Sequence, residues 1–125
     1  MNILTESIIV PNEYNFIFGN SHFIKTVEDL YEAIVTAVPG AKFGIAFNEA
    51  SGPCLIRKDG TADDLIEIAV ENQMRIGAGH TFLIVMSNIY PINILPVVKS
   101  CREVTNIFCA TANPVQVVIA ETEQG

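Results

Sequence analysis

The sequence predicts a single α/β domain in which helices cover a mixed β-sheet. Apolar runs of strand length alternate with segments of helical periodicity, in the order β-β-α-β-β-α-β-α-β-β. The chain has 125 residues, half of them apolar, so it can bury one core without disulfides or a structural metal. It contains no repeat, linker or low-complexity segment, and we therefore expect residues 1–125 to form one domain.

Short apolar runs bounded by turn residues predict strands at residues 3–10, 14–18, 42–47, 54–57, 80–87, 104–110 and 115–120. The stretch from 82 to 86 has no polar residue, which is typical of a strand covered on both faces. Gly44, in the middle of a strand, predicts a close backbone approach. Asn113 and Pro114 form a turn pair between the last two strands, which predicts a hairpin.

The predicted helices are recognised by their periodicity and their ends. Residues 26–38 have apolar side chains at every third or fourth position, and Thr26 is placed to cap the first turn. A second helix follows the predicted cap Thr61 and ends at Gly77, a residue type that favours helix C-termini. A third helix is predicted over residues 91–100, with a proline at its first position.

The charge balance excludes one class of partner and favours another. Fourteen acidic residues stand against seven basic ones, giving a net charge of −7, and the basic residues are scattered along the chain. Such a chain repels a nucleic-acid backbone, so we expect no nucleic-acid partner, although one or two local cations could hold a small anion. The low charged fraction of 17% predicts a homo-oligomer that buries part of the apolar surface.

The cysteines and the apolar runs bear on the compartment. The three cysteines are odd in number and show no C-x-x-C spacing, which excludes a disulfide framework and a zinc ribbon. The first ten residues lack the basic start of a signal peptide. No apolar run approaches the roughly 20 residues that span a bilayer. We therefore expect a cytoplasmic protein with no membrane partner.

His22 and Lys25 lie three residues apart, just before the first predicted helix. A helix N-terminus offers unpaired N–H groups and the positive end of the helix dipole, so a lysine there suits an anion. An imidazole at the same place could accept a phosphoryl group. The pattern also fits a capping or packing device, and both interpretations stay open at this point.

Polar residues are concentrated in four segments at the ends of predicted elements, residues 20–25, 48–52, 77–81 and 111–114. Loops at strand ends are where α/β folds usually place their sites, but each segment can also be a cap, a turn or a solvated acid. No Gly-Lys-Ser/Thr follows the glycines of the third segment, so it is not a P-loop. The histidines lack metal spacing, whereas Mg²⁺ on Glu49 or Glu121 with substrate phosphates would need none, so no cofactor is firmly implied.

Together these segments resemble an archaeal and bacterial family, the adenosine-specific kinase family. The resemblance is carried by residues 19–33 (GNSHFIKTVEDLYEA), 38–40 (VPG), 42–52 (KFGIAFNEASG), 76–80 (IGAGH), 90–93 (YPIN), 107–114 (IFCATANP) and 121–125 (ETEQG). Members of the family continue beyond the ETEQG run into a glycine-rich segment. We therefore expect this chain to lack a C-terminal tail that other members have.

The resemblance implies a three-layer α/β/α sandwich that assembles into trimers or hexamers. It also implies binding of adenosine, AMP or a related adenine nucleotide, and phosphoryl transfer to adenosine through a phosphohistidine. His22 is the expected acceptor with His80 as its rival, and Lys25 would offset charge on the phosphoryl oxygens. The residues expected at the nucleotide are Asn20, Ser21, Phe47, Glu49, Gly79, His80, Thr111, Asn113 and Pro114.

Three functions are compatible with the sequence. The first is an adenosine phosphotransferase that uses His22. The second is a non-catalytic adenine-nucleotide sensor with the same pocket. The third is a structural oligomeric domain in which every polar segment is only a cap or a turn.

Overall fold

A computed structural model describes residues 1–125 as seven strands and three helices. The elements are β1 (Asn2–Ile8), β2 (Asn15–Ser21), α1 (Thr26–Ala37), β3 (Phe43–Asn48), β4 (Ile56–Gly60), α2 (Asp63–Ile76), β5 (Thr81–Met86), α3 (Pro91–Ser100), β6 (Val104–Thr111) and β7 (Val115–Glu121). This is the order that the sequence predicts, and the α/β class is confirmed.

The main sheet has five strands in the order β4-β3-β5-β2-β6, and every neighbouring pair is antiparallel rather than mixed. Each helix does connect two parallel strands, as an alternating β-α-β pattern suggests. A third, antiparallel strand lies between the two in every case: β5 between β2 and β3, β3 between β4 and β5, and β2 between β5 and β6. The prediction of a mixed sheet is therefore wrong, because the inserted strands make every pairing in the main sheet antiparallel.

The hairpin predicted for β6 and β7 is wrong. Strand β7 leaves the main sheet and pairs with β1 in a separate two-stranded antiparallel ribbon, with Ile8 opposite Val115 and Asn2 opposite Glu121. The alternating apolar residues of β7, Val115, Val117 and Ile119, pack against the core cluster that contains Ile8. Burial of this apolar face therefore determines the partner of β7, and the Asn113-Pro114 turn only redirects the chain.

Two apolar clusters on opposite faces of the main sheet form the core. One cluster joins α1 and α3 to alternate residues of the sheet such as Phe43, Ile45 and Phe47. The other joins α2 and the β1–β7 ribbon to the intervening residues, such as Ala46 and Leu83. The three-layer arrangement implied by the family resemblance is confirmed. None of the three helices is both long enough and apolar enough to cross a membrane.

The helix starts differ from the predicted caps, whereas the glycines behave as predicted. Helix α1 already includes Thr26, whose hydroxyl donates to the Phe23 carbonyl, and α2 begins after Ala62. Thr61 instead donates to the Ala41 carbonyl at 2.7 Å, because its hydroxyl is used to join β4 to the start of β3. Gly77 ends α2 in the left-handed conformation. A Cβ at Gly44 would lie 2.2 Å from the Ile66 nitrogen, which confirms the close approach of α2.

Candidate functional site

Three of the predicted polar segments meet at one edge of the main sheet. Antiparallel pairing puts the end of β2, the start of β5 and the end of β3 side by side, with Asn20 opposite Thr81. Backbone hydrogen bonds continue the sheet beyond the strands. The Ser21 N–H donates to the His80 carbonyl at 2.8 Å, and the His80 N–H donates to the Asn48 carbonyl at 2.8 Å.

The two histidines of the chain lie against each other at this edge. The rings of His22 and His80 are stacked, with centroids 4.2 Å apart and planes 23° from parallel. His22 is exposed and is held through its backbone N–H, which donates to the Glu103 carbonyl at 3.0 Å. His80 is half-buried and has a φ of 69°, in the left-handed region. His22, the acceptor predicted from the sequence, and His80, its rival, are therefore in direct contact.

Gly79 lets the 48–52 loop approach His80. A Cβ at position 79 would lie 2.8 Å from the Ala50 Cβ and 3.0 Å from the Ala50 Cα, closer than real Cβ contacts. The contribution of Gly79 to the site is therefore the space it leaves for this loop.

A cleft of about 490 Å³ opens in front of the histidine pair. Its volume is within the range of small-molecule sites, roughly 300–1,000 Å³. The walls combine apolar and polar side chains from three segments, including His22, Phe23, Ile24, Phe47, Glu49, Ser51, Pro53, Leu55, Arg57 and His80. An apolar and aromatic wall with a few polar groups suits a nucleoside-sized ligand.

Arg57 and Glu49 form an ion pair on one wall of the cleft. The Arg57 Nε donates to the Glu49 Oε2 at 2.7 Å, and the Leu55 N–H donates to the Glu49 Oε1 at 3.1 Å. The Arg57 hydrogen bond holds the pKa of Glu49 below its ordinary value, with help from the Leu55 N–H and the Arg57 charge and against partial burial. Each oxygen of Glu49 thus accepts one hydrogen bond from within the protein.

Arg57 lines the cleft but is not among the site residues predicted from the sequence. The residue stands directly opposite Phe47 in the β3–β4 pairing, so both side chains lie on the same face of the sheet. The alternation of side chains along β4 predicts that Arg57 and Lys58 point to opposite faces of the sheet. Which of the two shares a face with Phe47 is known only once the register of β4 against β3 is known. A register between strands is a property of the folded sheet rather than of either segment.

Several predicted site residues lie outside the cleft walls. Lys25 is exposed at the start of α1 and does not line the cleft. The Asn20 Oδ1 accepts from the Thr105 hydroxyl at 2.6 Å, and the buried Ser21 hydroxyl bonds to that of Thr26 at 2.7 Å. Both side chains therefore make hydrogen bonds within the protein and do not line the cleft.

Thr111, Asn113 and Pro114 lie at the opposite end of the sheet. Thr111 is paired with Phe16 at the start of β2, whereas the cleft is at the end of that strand. Five residues of strand separate the two positions, which corresponds to about 17 Å. Within one chain these three residues do not join the cleft.

A buried polar cluster supports the loops of the site. The Gln73 Nε2 donates to the Thr81 carbonyl at 2.8 Å and to its hydroxyl at 3.1 Å. The Asn48 Nδ2 donates to the Gln73 carbonyl at 3.1 Å. These bonds connect the last turn of α2 to Thr81, which follows His80, and to Asn48, whose carbonyl accepts from the His80 N–H. Helix α2 therefore helps to hold His80 in position.

A second cavity lies on the other side of His22, where Asp29 and Glu103 face each other. Burial raises the pKa of Glu103, and a hydrogen bond with the Asp29 carboxyl raises it further, while Lys25 opposes the rise. Burial also raises the pKa of the Cys101 thiol at the same place. The fold thus favours the protonated form of Glu103.

The structure contains no group of three or more His, Cys, Asp or Glu side chains that could hold a metal ion. Glu49, one of the two acids considered for Mg²⁺, accepts one hydrogen bond on each oxygen, from Arg57 and from the Leu55 N–H. Glu121, the other acid considered for Mg²⁺, lies at the end of β7 opposite Asn2 and outside the cleft.

The fold and the site together define a cleft of small-molecule size, with two histidines on its wall, on an antiparallel three-layer domain. The family model described as adenosine specific kinase matches residues 7–125, so the chain belongs to the adenosine specific kinase family. It is also similar to the crystal structure of PH1918 protein from Pyrococcus horikoshii OT3, with 47% identity and a TM-score of 0.94. That match covers 99% of this chain and 76% of the other. A comparison with curated proteins finds no match.

Proposed function

We propose that the protein binds adenosine in the cleft and transfers a phosphoryl group to it through a phosphohistidine at His22. The observation that supports this best is the stacked His22–His80 pair on the wall of a nucleoside-sized cleft. An imidazole nitrogen is a competent phosphoryl acceptor when it faces the substrate. Membership in the adenosine specific kinase family supports adenosine as the substrate.

The apolar wall would hold the nucleoside. Phe23 and Phe47 both line the cleft, and the exposed ring of Phe23 can stack on a purine, whereas Phe47 is buried in the core. Backbone groups of the 48–52 loop, which Gly79 allows to approach, lie beside the same space. These contacts would select the base, and they do not require a charge on the ligand.

The chemistry would take place in two balanced steps. In the first, an unprotonated ring nitrogen of His22 attacks the donor phosphorus, a P–N bond forms and the P–O bond to the donor breaks. In the second, the 5′-hydroxyl of adenosine attacks the same phosphorus, a P–O bond forms, the P–N bond breaks and the hydroxyl proton passes to the imidazole or to solvent. The products are AMP and free His22, and most of the acceleration would come from positioning.

His22 fits the acceptor role better than His80. His22 is exposed on the cleft wall and only its backbone N–H is tied to another strand. His80 is half-buried, and its N–H and its carbonyl are both bonded within the sheet edge. The stacked ring of His80 would then orient His22 and the phosphoryl group. Lys25 has no part in this proposal because it does not line the cleft.

The test is phosphoryl labelling of the purified protein, compared with the His22→Gln and His80→Gln variants. We expect acid-labile, base-stable phosphate on the parent, none on His22→Gln, and reduced but detectable phosphate on His80→Gln. Equal labelling of His22→Gln and the parent would contradict His22 as the acceptor. Calorimetric titration with adenosine, and with guanosine for comparison, tests the binding step separately.

A non-catalytic adenine-nucleotide sensor is the second candidate. The observation in its favour is that Glu49, the acid in the cleft, is already paired with Arg57, so the cleft offers no unpaired carboxylate for the Mg²⁺ of a nucleotide donor. Formation of AMP from adenosine at a rate that depends on His22 would exclude this candidate. Binding of adenosine without any turnover would favour it.

We also propose a homo-oligomer, a trimer or a hexamer, in the cytoplasm. Phe108 and Val118 are large apolar side chains that are mainly exposed, beside a groove between β6 and β7. Thr111, Asn113 and Pro114 can contribute to a cleft only from a neighbouring chain. All three cysteines are free thiols, which suits a reducing compartment.

A further inference from the structure

We infer that Arg57 is the phosphate-binding residue of the cleft and that Glu49 holds its guanidinium in place for this task. The inference rests on the proposed function, because it assigns the part of the cleft that takes the phosphoryl group of AMP or of the donor. It replaces Lys25 as the cation of the site.

Arg57 has unused donors on the cleft wall. A guanidinium carries five N–H donors, and only the one on Nε is used within the chain, in the bond to Glu49. The side chain is 39% exposed and lines the cleft, so its terminal amino groups are open to a ligand. Two parallel N–H groups of arginine match two oxygens of a phosphate.

The direction of the Arg57 side chain is set before any ligand arrives. Glu49 has only 13% of its side chain exposed and is held by the Leu55 N–H, so it is a fixed anchor for the Nε of Arg57. An anchored guanidinium loses less side-chain entropy on binding than a free one. Because the Arg57–Glu49 pair is close to neutral, phosphate would be recognised by directed hydrogen bonds rather than by net charge.

The adjacent cation, Lys58, cannot take this role. Side chains alternate along β4, so Lys58 lies opposite Ala46 on the face covered by α2. There it lines a separate cavity with the acidic residues Asp59, Asp63, Glu67 and Glu71. In a chain with a net charge of −7, Arg57 is the only arginine or lysine on the wall of the cleft. Lys58→Gln is therefore a matched control that changes the same charge one residue away.

The test is titration calorimetry with AMP, adenosine and inorganic phosphate against the parent, Arg57→Gln, Arg57→Lys and Lys58→Gln. Loss of two charge-assisted hydrogen bonds predicts that Arg57→Gln weakens AMP binding about 10- to 100-fold, and at least tenfold more than it weakens adenosine binding. Arg57→Lys should recover only part of the loss, because an ammonium cannot form the two-pronged contact. Lys58→Gln should bind all three ligands like the parent.

Equal losses for AMP and adenosine in Arg57→Gln would overturn the inference, as would a parent that binds neither AMP nor phosphate. If Arg57→Gln does not fold by circular dichroism, Arg57→Lys decides, and full AMP affinity in that variant counts against the two-pronged contact. A parent that binds phosphate through Arg57 but does not bind adenosine would support the inference and contradict the proposed function. The two failures are therefore distinguishable.

Discussion

At the scale of single residues, the site depends on the backbone conformation of His80 and on the contact of its ring with His22. His80 adopts a φ of 69° and stacks on His22, 58 positions earlier in the chain, at 4.2 Å. His22 could be predicted because it precedes a helix within a motif. Its contact with His80 could not, because it arises only when β2 and β5 pair.

The left-handed conformation of His80 leads to a stability prediction. Asparagine adopts this region readily, whereas a β-branched residue is strained there by roughly 1–2 kcal/mol. We expect His80→Asn to unfold at a denaturant concentration close to that of the parent, and His80→Val to lose about 1–2 kcal/mol relative to it. Urea unfolding followed by circular dichroism measures both. Equal stability of the two variants would contradict the assigned backbone conformation.

The Asp29–Glu103 pair leads to a prediction about pH. The pKa of Glu103 is raised in the folded protein by burial and by Asp29, so the fold favours the protonated form. The stabilisation by Glu103 is complete below its ordinary value of 4.5 and is lost as pH rises through the raised folded value. We therefore expect Glu103→Gln to gain stability over the parent as pH rises above 4.5.

Glu28→Gln is the control for that comparison, because Glu28 is an exposed glutamate next to Asp29 in the first turn of α1. Unfolding free energies measured by urea at several pH values between about 4 and 8 would show the difference. A parallel pH dependence for Glu103→Gln and the parent would count against the raised pKa of Glu103.

At the scale of elements, the sequence predicts the order of the helices and strands but not which strands pair. Periodicity and turn residues predicted all ten elements in order, because these signals act within a segment. Strand pairing depends instead on contacts between distant segments. Such contacts insert an antiparallel strand between each pair of helix-connected strands, and they pair β7 with β1. The register that places Arg57 opposite Phe47 is of the same kind.

The contact between the two loops at Gly79 and Ala50 can be tested as a pair. A Cβ at position 79 would lie 2.8 Å from the Ala50 Cβ, so Gly79→Ala must displace the 48–52 loop that lines the cleft. We expect Gly79→Ala to weaken adenosine binding more than tenfold while the secondary structure is retained, since the strain is confined to loops. Adding Ala50→Gly should restore part of the affinity, although the Ala50 Cα at 3.0 Å stays close. Independent effects of the two substitutions would argue against the contact.

At the scale of the whole molecule, the distribution of apolar surface predicts assembly. Phe108 and Val118 are 53% and 69% exposed and line one groove between β6 and β7, which makes an apolar patch for a neighbouring chain to cover. We expect a mass of three or six times the 13.6 kDa of one chain by light scattering. Phe108→Asp should lower this mass, whereas Met74→Asp, on the exposed face of α2, should not. A parent of 13.6 kDa would contradict the assembly.

The central claim is that His22 passes a phosphoryl group to adenosine, and a chase experiment tests it most directly. The protein is labelled with phosphate, freed from donor and mixed with adenosine, with guanosine as the parallel control. We predict that label leaves the protein and appears in AMP at a rate that adenosine accelerates and guanosine does not. Label that stays on the protein, or that leaves equally fast as inorganic phosphate with either nucleoside, would contradict the claim.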